Sequence, residues 1–95
     1  MSENIINIYI NLQKELIKKY GNKSIVLYQV GSFYEMYGEK KSDLEDVSKA
    51  LNIHLTRKNK SDEHSPYMCG FPDFSLEKHL SKLIISYHYT IAVYD

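Results

Sequence analysis

The chain has 95 residues, 43% hydrophobic and 25% charged, the length and balance of one globular domain with a modest core. Its formal net charge is zero, so it lacks the basic excess with which a free-standing nucleic-acid binder neutralises phosphates; a firm grip on DNA or RNA would need other domains. It has no long apolar run of membrane-spanning length, its first 20 residues read as neither a signal nor a transit peptide, and its single cysteine, Cys69, excludes an internal disulfide and fits a reducing, intracellular setting.

Residues 4–20 are expected to form an amphipathic helix. Ile5, Tyr9, Leu12, Leu16 and Tyr20 recur at helical spacing, Asn4 is placed to cap the start, and Gly21 stands where a helix stops. Lys14, Lys18, Lys19 and Lys23 read as a solvated face that complements the helix dipole, with a small phosphate-contacting patch as the sharper alternative. Residues 25–30, "IVLYQV", are nearly all apolar, as in a buried central strand. Gly31-Ser32 breaks the run and "FYEMY" resumes it, so the two segments are expected to pair as a hairpin.

Ser42 and Glu45 carry a capping-box signature ahead of a helix with Leu44, Val47 and Leu51 on one face. "IHLTRK" alternates as a half-buried strand does, residues 58–65 form a polar loop, and "YMCGF" is an extended segment ended by Gly70 and Pro72. Ser75 is a candidate cap for a third helix bearing Leu76, Leu80, Leu83 and Tyr87 on one face, and "HYTIAVY" closes as a strand. Helices cannot bury their stripes alone, so this order predicts a mixed sheet flanked by about three helices, in the α/β to α+β range. The final strand has nothing to turn into. The chain is therefore expected to be the first domain of a longer multidomain protein.

The stretch that asks for a chemical reading is "GSFYEMYG", residues 31–38. On a strand, Phe33, Glu35 and Tyr37 share one face, while Tyr34 and Met36 share the other. The second face can pack a core. The first then offers an aromatic ring and a carboxylate beside a glycine that permits close approach. A ring of this kind can wedge between stacked bases at a cost of a few kcal/mol. The neighbouring carboxyl can accept a hydrogen bond from a base edge, or donate one if protonated. The plain alternative is core packing, and the abundance of Tyr beside Ile, Lys and Asn fits A/T-rich codon usage better than a stacking surface.

The ordered features resemble the N-terminal mismatch-recognition domain of the MutS family. Gly31-Ser32-Phe33-Tyr34-Glu35 is similar to that family's Gly-x-Phe-Tyr-Glu motif after a hydrophobic strand. "IHLTRK" supplies Ile53, Leu55, Thr56 and Arg57 of an Ile-x-Leu-Thr-x-Arg-like strand, and "PYMCGFP" supplies Pro66, Met68, Gly70 and Pro72 of a Pro-Met-x-Gly-x-Pro-like segment. "HLSKLIISY" and Ile91-Ala92-Val93 complete the set, which covers nearly the whole chain. The resemblance implies that Phe33 is a wedge inserted beside a mispaired base and that Glu35 hydrogen-bonds that base. It implies that Gly31 shapes the turn, that Tyr34 packs, and that Arg57 and Lys58 contact backbone phosphates. It further implies a partner, double-stranded DNA with mismatches or small loops. ATP and Mg²⁺ would belong to other domains of a dimeric parent, with no cofactor and no enzymatic activity in this chain. Ser32, Asp73-Phe74 and the closing "AVYD" depart from the family pattern, which marks a divergent branch and leaves loop geometry open.

Two other classes share features with this chain. Asp73, Glu77 and Lys78 superficially resemble the carboxylates and lysine of a metal-dependent nuclease, but Glu77 and Lys78 are adjacent rather than one apart. A protein-interaction adaptor is the other. His54, His64, Cys69 and His79 match no zinc-ligand spacing, and Cys69 has no identifiable partner base.

Overall fold

A long helix comes first among the described residues; two pairs of strands, each followed by a short helix, and a last strand come after it. A computed structural model describes residues 2–95, with side chains from Ile5 onward. The elements are α1 (Ser2–Tyr20), β1 (Ser24–Val30), β2 (Phe33–Gly38), α2 (Glu45–Leu51), β3 (Thr56–Arg57), β4 (Tyr67–Pro72), α3 (Leu76–Ser81) and β5 (Thr90–Tyr94). The strands form one sheet in the order β3-β4-β2-β1-β5, antiparallel throughout except that β5 runs parallel to β1. The mixed α/β class is as expected.

Register decides what each face carries. Val30 pairs with Phe33 across the Gly31-Ser32 turn, and Tyr28 with Glu35. On the other side of β2, Phe33 opposes Pro72, Glu35 opposes Gly70 and Met36 opposes Cys69. Opposed residues share a face, so Phe33, Glu35 and Tyr37 lie with Tyr28, Gly70 and Met68. Tyr34 and Met36 lie with Phe71 and Cys69 on the other, which is closed by α3: the His79 ring stacks on Phe71 with centroids 4.1 Å apart. Tyr34, Met36, Cys69 and Phe71 are all buried there.

β1 and β2 are paired only from Tyr28 to Val30; nearer the start of β1 they part. Parted strands leave backbone groups without ladder partners, and buried groups of that kind must be satisfied. α1 satisfies them. The Tyr9 hydroxyl donates to the Val26 carbonyl at 2.7 Å. The Gln13 amide donates to the Ser24 carbonyl and accepts from the Val26 N–H, both at 2.8 Å. The same insertion covers the adjoining end of the Phe33 face, where Tyr9 meets Tyr37 edge-on at 5.6 Å.

Five local expectations are corrected or bounded. The Ser42–Glu45 capping box does not form: Leu44 is drawn into the core, and the chain winds a tight turn over Lys41–Asp43 in which the Asp43 carboxylate accepts from the Lys40 N–H at 3.0 Å. The strand expected over "IHLTRK" is reduced to Thr56–Arg57, because this edge has only β4 to pair with. Ser75 makes no side-chain cap; its carbonyl instead meets His79 Nδ1 at 2.9 Å. α3 continues as a π-helical turn, Lys82–Ser86, whose wider winding rotates Tyr87 off the apolar stripe and leaves it 38% exposed. Asn4, the expected cap of α1, has a side chain outside the described residues. Gly21 ends α1 as expected, with φ 97°.

Candidate nucleic-acid interface

The site grows from the hairpin tip. Gly31 holds a left-handed φ of 63°, which the tight turn needs and a glycine adopts without strain. The Ser32 carbonyl accepts from the Asp73 N–H at 2.8 Å, tying the tip to the end of β4. Phe33 is the first residue beyond the turn and is 45% exposed, although it is a large apolar ring. Two residues on, Glu35 is half-buried on the same face.

The space beside Glu35 exists because its cross-strand partner has no side chain. A Cβ at Gly70 would lie 2.7 Å from the Tyr34 carbonyl oxygen and 3.5 Å from Glu35 Cγ. The result is a shallow depression of about 210 Å³ bordered by Phe33, Glu35, His54, Thr56, Met68 and Gly70. An apolar ring and a carboxyl therefore flank one concavity, a combination able to meet a flat ring edge-on and bond to it.

At the covered end, Tyr37 is buried and donates its hydroxyl proton to Glu35 Oε1. Burial first, and the neighbouring carboxylate second, push the Tyr37 hydroxyl well above its ordinary pKa, so it stays a donor through the neutral range. The Lys58 ammonium stands 5.4 Å from the Tyr37 ring centroid, which brings a positive charge to this side of the sheet.

The six residues named from sequence are thus divided. Phe33, Glu35, Gly31 and Lys58 lie around one face or its turn. Tyr34 is buried behind it against Phe71, with its hydroxyl on Asp95 Oδ1 at 2.5 Å. Arg57 opposes Tyr67 in the register, on the face away from Phe33. Its guanidinium lies 4.5 Å from the Tyr67 centroid, and Nη1 donates to the Ser65 carbonyl at 2.8 Å, so Arg57 braces the loop between β3 and β4. Sequence reading missed the parts of Thr56, Met68, Gly70 and Tyr37. Two of these carried a signal: period two puts Tyr37 on the Phe33 face, and a glycine inside a strand, as at Gly70, marks a close approach.

Other candidate chemistries find little here. Cys69 is buried, and burial pushes its thiol up to about 12, which suits packing rather than attack. Asp73 accepts from Gln29 Nε2 at 3.5 Å, and among the described residues no three His, Cys, Asp or Glu side chains gather as metal ligands would. No helix of the described residues is long and apolar enough to cross a membrane.

Residues 10–95 match the family model described as MutS domain I. The chain is 41% identical over 68 residues to the DNA mismatch repair protein MutS of Thermodesulfovibrio yellowstonii, covering 72% of this chain and 8% of that protein. Against the protein of the same name from Salinibacter ruber it is 41% identical over 70 residues, 74% of this chain and 7% of the relative. Against that of Rickettsia canadensis it is 42% identical over 71 residues, 75% of this chain and 8% of the relative. The chain thus spans less than a tenth of the length of these relatives. With nearly all of its sheet and helices inside the matched segment, the chain belongs to the MutS domain I family.

Proposed function

We propose that this chain is the mismatch-probing domain of a longer DNA mismatch repair protein, and that Phe33 and Glu35 are its contact with the mispaired base. The observation that carries this reading is the exposed Phe33 ring beside Glu35, at the open end of a strand whose other end is buried. The relatives' name, DNA mismatch repair protein, supports the same direction.

The physical logic is indirect readout. Inserting a ring between base pairs costs a few kcal/mol of stacking. A mismatch is already poorly stacked and bends more cheaply, so the ring is retained there and expelled from paired DNA. Glu35 adds a polar contact to the displaced base. Specificity then needs no code of base sequence. Net charge zero limits this chain's own phosphate grip to local cations such as Lys58, so most of the affinity comes from other domains. ATP and Mg²⁺ belong to those domains, as does dimerisation; this chain acts in recognition and not in catalysis.

The test is a titration of the full-length protein that carries this domain against matched and G·T-mismatched duplexes at one salt concentration. Phe33→Ala is expected to lower the mismatch-to-matched affinity ratio by about tenfold or more, the scale of one lost base–aromatic stack. An unchanged ratio in a folded variant overturns the reading.

A further inference from the structure

We infer that Tyr37 is a positioning residue for the mismatch contact: its hydroxyl holds one oxygen of Glu35 so that the other is presented beside Phe33. The inference rests on the function proposed above and goes beyond it, because Tyr37 touches no DNA in that scheme.

Three observations converge. The first is the hydrogen bond itself, from the Tyr37 hydroxyl to Glu35 Oε1. Both side chains project from the same strand and the same face, so the bond is built into the pleat rather than reached across a loop. The second is that Tyr37 is itself anchored. It is 2% exposed and packs edge-on against Tyr9, whose own hydroxyl is fixed on the Val26 carbonyl at 2.7 Å. A donor held on two sides defines a position; a mobile surface donor does not. The third is that Glu35 has room on its other flank, where Gly70 lacks a side chain and the concavity opens toward Phe33.

A glutamate has three rotatable side-chain bonds, and an unheld one pays their entropy when it meets a base. A glutamate already fixed through Oε1 pays less, and Oε2 is left to accept from a donor on the base edge. The line of support runs from the α1 core through Tyr9 and Tyr37 to Glu35. It links the split between β1 and β2, which α1 fills, to the recognition face.

Tyr37→Phe keeps the packed ring and removes only the donor. In the full-length protein, titrated against matched and G·T duplexes, it is expected to lower the mismatch-to-matched ratio about threefold to tenfold, the worth of one preorganising hydrogen bond. Made in a Glu35→Ala background, the same substitution is expected to change the ratio no further, because the group it positions is gone. A merely structural role for the hydroxyl would act equally in both backgrounds. If Tyr37→Phe leaves the ratio unchanged or raises it, or if its effect is additive with Glu35→Ala, the inference is overturned. Phe33→Ala, run alongside, separates the two failures. A lost preference there with an unaffected Tyr37→Phe sinks only the positioning role, whereas an unaffected Phe33→Ala sinks the mismatch reading and this inference with it.

Discussion

Phe33 and Tyr37 stand on one strand, on one face, four residues apart. Phe33 is 45% exposed and Tyr37 2% exposed. Both are large aromatic rings; the Tyr37 hydroxyl, which donates to Glu35, does not by itself account for the difference in burial. The difference is what lies above them. α1 enters where β1 and β2 part, and its Tyr9 closes over Tyr37. The helix does not reach the hairpin tip, where Phe33 has only the Gly31-Ser32 turn behind it. A single strand is thus core at one end and interface at the other, and Glu35 between them bonds to the first while bordering the second.

The widest test of that contrast is truncation of each ring. Tyr37→Ala should cost about 3–5 kcal/mol by opening a cavity against Tyr9, whereas Phe33→Ala, at a half-exposed ring, should cost only about 1 kcal/mol. Urea denaturation of the two variants reads the difference directly. Equal costs would show that Phe33 is core and the contrast false.

Next in size is Gly70→Ala. The new methyl would press on the Tyr34 carbonyl from 2.7 Å, so β2 and β4 must shift. A loss of about 1–3 kcal/mol is expected, together with a narrowed concavity beside Glu35. Calorimetry should register a fall of several degrees in melting temperature. An unshifted melting temperature would mean that the strands yield easily there, and that Gly70 has no special part in shaping the face.

Alkali sharpens the contrast further. Burial raises the Cys69 thiol from an ordinary 9.0 to about 12 and raises the Tyr9 and Tyr37 hydroxyls above 10.0. The folded chain therefore keeps protons that the unfolded chain releases. The stability these groups contribute is fully present below pH 9 and is lost as pH rises from about 9 toward 12. Tyr37→Phe should make that fall shallower, and Phe33→Ala should leave its shape alone; denaturation midpoints across this range check both. A flat profile would contradict the burial of these groups.

The smallest expected effect separates the two cations. Lys58→Ala should weaken matched and mismatched duplexes alike and lower the salt slope of binding by about one. Arg57→Ala should leave that slope unchanged, because its guanidinium is engaged with Ser65 and Tyr67 on the opposite face. Identical salt slopes for the two variants would undo this division.

Several features were legible before any coordinates. The order of eight elements followed from apolar periodicity and from glycine breaks, since burial of one face imposes a period on the chain. Period two on "FYEMY" alone placed Phe33 and Glu35 opposite Tyr34 and Met36. The Gly-x-Phe-Tyr-Glu motif and its neighbours identified the family. Local capping was less legible. Ser42 and Ser75 carried good signatures, but the burial of Leu44 and the bond between Ser75 and His79 overrode them.

What only tertiary structure decided was which end of β2 would be covered, and hence which aromatic ring would be free. Local sequence cannot specify this, because it depends on where α1, whose Tyr9 and Gln13 lie more than twenty residues upstream of Tyr37, is pulled to satisfy the parted backbone of β1. The same holds for Arg57. It directly follows Thr56 in the sequence, yet the short pairing of β3 with β4 turns it to the far face and leaves Thr56 beside the concavity. Alternation along a strand is a local property; the identity of the face that meets solvent is settled by the elements packed on it.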